Sequence, residues 1–508
     1  MSATAKMVRG DLAADYSGNA TDSPLVALRS ATGIALIAAT VLASAVGSLD
    51  ANVIKVAVPA IGQDLHASVA TLQWTLTSYL LVVAALLLLS GALGDRFGRR
   101  RVLAVGLLVM LVSSVLCAVA PSAGALIGAR VVQGIGGALV VPNSLALLNG
   151  TLRKSDRARG IGIWAAIETL ATTVGPYVAG WLVDQGSWRA VFLLNLPLIL
   201  AALLVLTQVP ESSDARRALS LDVFGALLAL IGLGGVIYAL TAGPASGWLS
   251  LPVLIATAVG ALSLAALVPV ERRLRAPMLR LSLFVSRQFD AINVATVLLY
   301  GALGAASYIL FLQFELRLGY SAAQAGAALI PESAVFLVIA PLSGALVSRV
   351  GPRRLMVSGI LMVAAAFIWL SGAHSGGSYT TTILPPVLLW GLGIGVTVSP
   401  LTAAVLAAVD DADLGEASAV NDTAARLGGV IVVALVPVLI GASDGSGLGH
   451  ALVRGYQPAM ITLGAICVAA ALVAAVFVSD DRRVAAGKPA PAPRDHGRGL
   501  PVPDAATP

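Results

Sequence analysis

Within the long apolar stretches of this 508-residue chain stand a few residues whose chemistry is out of place there: Asp50, Lys55, Arg130, Glu168, Glu332 and the pair Asp422 and Arg426. A charge at membrane depth is costly and commonly marks function. Asp50 falls about 18 residues into the first apolar run and Arg130 about seven from the end of the fourth, which at about 1.5 Å per residue sets them at a comparable level. They can meet. A carboxylate that gains and loses an arginine partner exchanges a proton with its surroundings, so the pair is either a proton switch or a fixed structural ion pair. Glu168 lies on a stripe with Ala171, Thr172, Gly175 and Ala179 at helical spacing, and Glu332 follows Pro331 near the middle of the tenth run. Each can serve substrate or proton binding, or hydrogen-bond to a neighbouring helix. Lys55 comes five residues after Asp50 and points about 140° away from it around a helix. It either snorkels to the outer interface or faces a cavity. Asp422 and Arg426, four apart, suit an intrahelical ion pair and are read as structural, while Glu315 and Arg317 at a helix end are read as solvated.

Other chemistries find no support in the residues. Cys117 and Cys467 sit in apolar runs at no metal-ligand spacing. The four histidines, His66, His374, His450 and His496, lie in loops or the tail, so a proton crossing the membrane must use a carboxylate. No Gly-x-x-x-x-Gly-Lys-Ser/Thr loop occurs, and no soluble segment is long enough for an ATPase domain. We therefore expect no metal, cofactor, nucleotide or enzymatic activity.

The elements that position these residues are membrane helices. At 58% hydrophobic and 11% charged, with a mean hydropathy of +0.91, the chain is far from soluble composition. Its apolar runs have the length of about 20 residues that a helix needs to cross a bilayer, which excludes a barrel. We read fourteen spans: 32–59, 70–93, 102–120, 123–148, 160–184, 190–209, 221–243, 251–270, 289–314, 323–348, 355–373, 381–408, 416–441 and 458–478. With the N-terminus in the cytoplasm, cytoplasmic segments hold 26 of the 32 Lys and Arg, which fixes the orientation. The net charge of +6 is then topological and implies no nucleic-acid partner. A signal peptide ending near Ala43-Ser44-Ala45 is the competing reading of the first span, but the apolar character continues to Pro59. Residues 1–31 and 479–508 read as cytoplasmic tails, the latter disordered for its Pro, Ala and Gly content.

Gly91 to Arg101, Gly-Ala-Leu-Gly-Asp-Arg-Phe-Gly-Arg-Arg-Arg, has a near copy at Gly344 to Arg354, with seven of eleven positions identical after a shift of 253 residues. Each copy is a tight basic turn between spans. The chain thus reads as two six-helix bundles, 32–209 and 276–478, with two extra helices and their linkers at 210–275. Asp95 is available to hold a cationic side chain or a helix N-terminus in one conformation and release it in another. Ser348 replaces it in the copy, so any such latch is asymmetric.

Gly91, Gly94, Asp95, Arg96, Gly98 and Arg99 resemble the signature loop of the major facilitator superfamily, and the span count resembles its fourteen-span drug:proton antiporter branch. Leu49 to Pro59 looks like that branch's first-span motif, with Lys55 where asparagine is usual. Arg130, Gln133, Gly134 and Gly136 resemble its fourth-span motif. Gly162, Gly175, Pro176 and Gly180 resemble its fifth-span antiporter motif, with Ala171 and Ala179 at positions usually glycine, followed by Trp188, Arg189, Phe192, Asn195, Leu196 and Pro197. The resemblance implies an all-α major facilitator fold and a cavity between the bundles. It implies proton coupling by Asp50, Arg130, Glu168 and Glu332, and gating by the glycine motifs. The expected function is proton-driven export of amphipathic drugs, biocides or a secreted natural product by a monomer in the cell (inner) membrane, both termini cytoplasmic. Symport of a nutrient or siderophore and a non-transporting membrane enzyme or sensor are the alternatives.

Overall fold

The computed structural model describes residues 25–213, 222–274, 281–373, 377–410, 413–442 and 448–480. Most of both tails therefore lies outside the described residues, as do Arg216, Arg217 and Arg275. The described chain is helical throughout: α1 (Ala31–Asp64), α2 (Val69–Phe97), α3 (Arg99–Ala118), α4 (Ala123–Thr151), α5 (Lys154–Asp184), α6 (Arg189–Leu193), α7 (Asn195–Leu206), α8 (Val223–Ser246), α9 (Leu251–Arg273), α10 (Arg287–Leu316), α11 (Ala322–Ala328), α12 (Ile330–Val350), α13 (Pro352–Leu370), α14 (Leu384–Ala407), α15 (Leu414–Ala434), α16 (Val436–Leu439) and α17 (Leu448–Phe477). Serines open several of them. Ser30, Ser68, Ser122 and Ser321 each accept from a backbone N–H one turn on, replacing a partner that a helix start lacks.

Among the described residues, twelve helical stretches are long and apolar enough to cross a membrane. Spans expected at 160–184 and 416–441 fall on α5 and α15, helices outside that twelve. Glu168 with Thr169, Thr172 and Thr173 in α5, and Asn421 to Thr423 with Arg426 in α15, make these two more polar. Three expected spans are broken, each just before a proline. Pro197, Pro331 and Pro437 lack the N–H that would bond the carbonyl four residues back, and the breaks fall at Leu194, Leu329 and Leu435. The carbonyl freed by Pro437 and one beside the Leu329 break find side chains instead. Val433 O accepts from Gln73 Nε2, and Ala328 O accepts from Tyr379 Oη at 3.1 Å.

Helix contacts repeat with the sequence. An ideal Cβ on Gly136 would lie 2.9 Å from the Gly106 carbonyl oxygen, and one on Gly106 3.1 Å from that of Gly136. Between α13 and α14 the corresponding values are 2.6 Å for Gly359 against Gly393 and 2.7 Å for the reverse. With little hydrophobic drive between helices in lipid, close backbone approach supplies the packing energy. The central helices α8 and α9 differ in how they pack. α8 packs on α9 but also touches α2 and α15, where Leu81, Ala84, Ile237, Val430 and Ala434 form one apolar cluster. α9 packs mainly on α8 and is otherwise exposed.

Candidate functional site

α1 and α4 bring Asp50 and Arg130 together as the spacing suggests, in a fully buried ion pair between Asp50 Oδ2 and Arg130 Nη1. Asp50 Oδ1 also accepts from Gln133 Nε2 at 2.8 Å and Asn195 Nδ2 at 2.9 Å. Arg130 Nη1 donates to Gln133 Oε1 at 2.9 Å and its Nε to Thr75 O at 3.2 Å, while Tyr79 lies against the guanidinium, 4.4 Å from ring centroid to Cζ. Ser114 Oγ accepts from Gln133 Nε2 at 3.0 Å. A charge pair taken out of water is tolerable when its remaining lone pairs and protons are satisfied; five helices contribute partners here, while Arg130 Nη2 is left buried without one among the described residues. Gln133 carries a sequence signal only as part of the fourth-span resemblance with Arg130, Gly134 and Gly136. Asn195 reaches the site because Pro197 breaks the helix beside it. Ser114, Thr75 and Tyr79 carried no sequence signal beyond ordinary polar residues in apolar runs.

The other ionisable residues lie apart from this cluster. Glu168, half-buried, accepts from Ser48 Oγ at 2.6 Å. Glu332, also half-buried, accepts from Ser333 Oγ at 2.9 Å and stands in the first turn of α12 beside the Leu329 break. Asp422 and Arg426 form the expected pair at 3.3 Å on a partly exposed face of α15, within electrostatic reach of Glu168. Lys55 does not snorkel outward: its Nζ turns back along α1 to donate to Asn52 Oδ1 at 3.1 Å. Glu315 corrects the solvated reading, since it is half-buried and its Oε1 has no hydrogen-bond partner.

At the basic turns, Gly98 (φ 100°) and Gly351 (φ 95°) each join two helices through a single residue, a conformation that glycine adopts without strain. Asp95 holds the cationic side chain of Arg99 at 2.8 Å, and Arg99 also reaches Ala146 O at 3.2 Å. The helix N-terminus belongs to another acid. Glu211 accepts from Arg100 N at 2.9 Å and Arg101 N at 3.2 Å, capping α3, and Asp480 pairs with Arg354 at 3.4 Å beside the second turn. The signal for both is an acid just after the last helix of each repeat. Removing a cap costs about 0.5–2 kcal/mol, so Glu211→Ala should lower the thermal midpoint of the purified protein in detergent by a few degrees. An unchanged midpoint would remove the cap from the turn's support.

The opposite end of the molecule is closed by contacts across the repeat. Gly180 abuts the backbone of Ala322, Gly326 abuts that of Pro176, and Asp184 accepts from Ala322 N and Ala323 N at 3.0 Å each. Gly175 abuts Leu49 and Val53 of α1. An added Cβ at Gly162 or Gly91 meets nothing within 4 Å, while one at Gly94 meets Asn143.

These features define an all-helical, multi-pass membrane protein built around a buried ion pair. Residues 40–433 match the family model described as Major Facilitator Superfamily, and the chain belongs to that superfamily. It is therefore a secondary transporter of small molecules and not an enzyme. It is similar to the multidrug resistance protein Stp of Mycobacterium tuberculosis (strain CDC 1551 / Oshkosh), 33% identical over 402 residues, covering 78% of this chain and 73% of that one. It is also similar to the tetracenomycin C resistance and export protein of Streptomyces glaucescens, 34% identical over 412 residues, covering 80% and 76%. A crystal structure of a peptide transporter in complex with sulfate shares the fold, with a TM-score of 0.65 at 17% identity, covering 88% of this chain and 95% of that one.

Proposed function

We propose that this chain is a proton-coupled exporter of amphipathic organic molecules, such as drugs, biocides or a secreted natural product, working by alternating access. The reading takes fourteen spans, two six-helix bundles (32–209 and 276–478) with α8 and α9 inserted, a monomer in the cell (inner) membrane, and both termini cytoplasmic. The observation that carries it is the buried Asp50–Arg130 pair in a chain whose relatives bear resistance and export names. With the basic turns on the cytoplasmic side, the α5–α11 contacts close the outer end and the cavity faces inward.

A proton arriving from outside neutralises Asp50, which frees Arg130 and loosens the bonds that Gln133 and Asn195 make to the carboxylate. Those partners lie on α4 and α7, so the packing of α1 against them changes with the charge. Glu168 and Glu332 offer further proton or substrate contacts. The glycines of α5 let the outer seal close and reopen, and the Asp95–Arg99 pair with the Glu211 cap steadies the cytoplasmic turn.

The test uses everted membrane vesicles, interior acid, loaded with an amphipathic fluorescent dye on the outside. Expression of the chain should drive dye into the vesicles, and collapse of the pH gradient with nigericin should abolish it. Movement of dye in the opposite direction under the same gradient would establish a symporter instead, and no movement would overturn transport coupled to protons.

A further inference from the structure

On the first helix Asp50 pairs with Arg130 and Asp64 with Arg189 at its outer end, which leaves Lys55 without a charged partner among the described residues. On α1, Ser48, Asn52, Lys55 and Pro59 fall within about 60° of arc at 100° per residue, and all four are half-buried while Val53, Ile54, Val56, Ala57 and Val58 between them are core. This face leads from the Ser48–Glu168 hydrogen bond toward the closed outer end. Lys55 stands about 10 Å above Ser48 along the helix. Its side chain is half-buried, so part of its surface stays free beside the core positions of the same helix.

No acid among the described residues pairs with its charge. Among the described residues its hydrogen bond is to Asn52 Oδ1 alone, a neutral acceptor, and it forms no ion pair. Asp50 is on the far side of the helix and committed to Arg130, Glu168 is held by Ser48, and Glu332 by Ser333. An ammonium carries three donors, so two remain without a partner among the described residues. Holding an ammonium out of water without a counter-charge costs several kcal/mol, and an intramembrane ionisable residue calls for a partner. The surrounding core is apolar, which suits an amphipathic molecule with a single charged oxygen group.

We propose that Lys55 anchors an anionic group of the exported molecule, a carboxylate or an ionised phenol, so that the substrates are amphipathic organic anions. This rests on the export reading. Asn52 orients the ammonium, and the substrate's apolar body lies along the half-buried face of α1.

Three matched xanthene dyes test it in the everted vesicles: one with a free carboxylate, its neutral methyl ester, and a cationic amine analogue. Wild type should transport the carboxylate dye at least tenfold more efficiently than the ester. In Lys55→Met that ratio should fall to about one, and Lys55→Arg should restore most of it. Equal handling of all three dyes by wild type, or an unchanged ratio in Lys55→Met, overturns the anion site while export stands. If wild type moves none of them, the export reading fails and this proposal falls with it. Because the readout is a ratio within each variant, a lower yield of folded protein does not mimic the result.

Discussion

Asp50→Asn should reduce proton-driven extrusion by at least about 100-fold while dye binding to the purified protein persists. Asparagine keeps the shape of the side chain and can still accept from Gln133 or Asn195, but it holds no negative charge and takes up no proton. The substitution therefore separates packing from coupling. It also leaves Arg130 buried without its counter-ion, and breaking one side of a buried pair costs about 3–5 kcal/mol. Arg130→Gln leaves the mirror-image defect, so each single variant should unfold at a lower temperature than wild type. The double variant Asp50→Asn/Arg130→Gln restores neutrality, and neighbours in one network are strongly non-additive. Its thermal midpoint should recover toward wild type while gradient-driven extrusion stays lost. If the double variant regains coupling, or Asp50→Asn never loses it, the proton is carried elsewhere, with Glu168 and Glu332 next to be neutralised.

That network shows how far the sequence alone could be read. Asp50 and Arg130 stood out because a charge in an apolar run has one kind of explanation, and helical rise alone set them at one level. The partners that make the pair tolerable were less visible, since Ser114, Thr75 and Tyr79 are common residues whose roles depend on helix packing. Broken helices were hidden for the same reason. Pro331 and Pro437 signal a missing hydrogen bond, but nothing in the sequence says that Tyr379 and Gln73 would bond carbonyls at these breaks. The repeat was fully legible at the Gly98 and Gly351 turns because a one-residue helix junction needs positive φ. The acid that caps α3 was not, because Glu211 lies about 110 positions from the N–H groups it binds. Lys55 was legible as an anomaly, and only its bond back to Asn52 separates it from a snorkelling cation.

The second large effect is expected at the outer seal. An ideal Cβ on Gly326 would lie 2.5 Å from the carbonyl carbon and oxygen of Pro176, and one on Gly180 would fall against the backbone of Ala322. Both obstacles are main chain, so no rotamer change relieves them. Overpacking of this kind costs about 1–3 kcal/mol, and a penalty paid in only one of two conformations shifts their ratio by about 5- to 150-fold, given tenfold per 1.4 kcal/mol. Gly180→Val and Gly326→Val should therefore hold the molecule with its outer end parted, where the penalty is absent. A cysteine at Ala323, whose N–H is held by Asp184 across the seal, reports the state through its labelling rate with a membrane-impermeant maleimide in intact cells. The valine variants should label at least fivefold faster than the parent and extrude dye at least tenfold more slowly. Gly162→Ala, where an added Cβ has open space, should change neither rate by more than about twofold, because overpacking requires a neighbour to press against. Unchanged labelling in both valine variants would mean that these contacts persist throughout the cycle and form a fixed joint, and the motif's glycines would then serve packing alone.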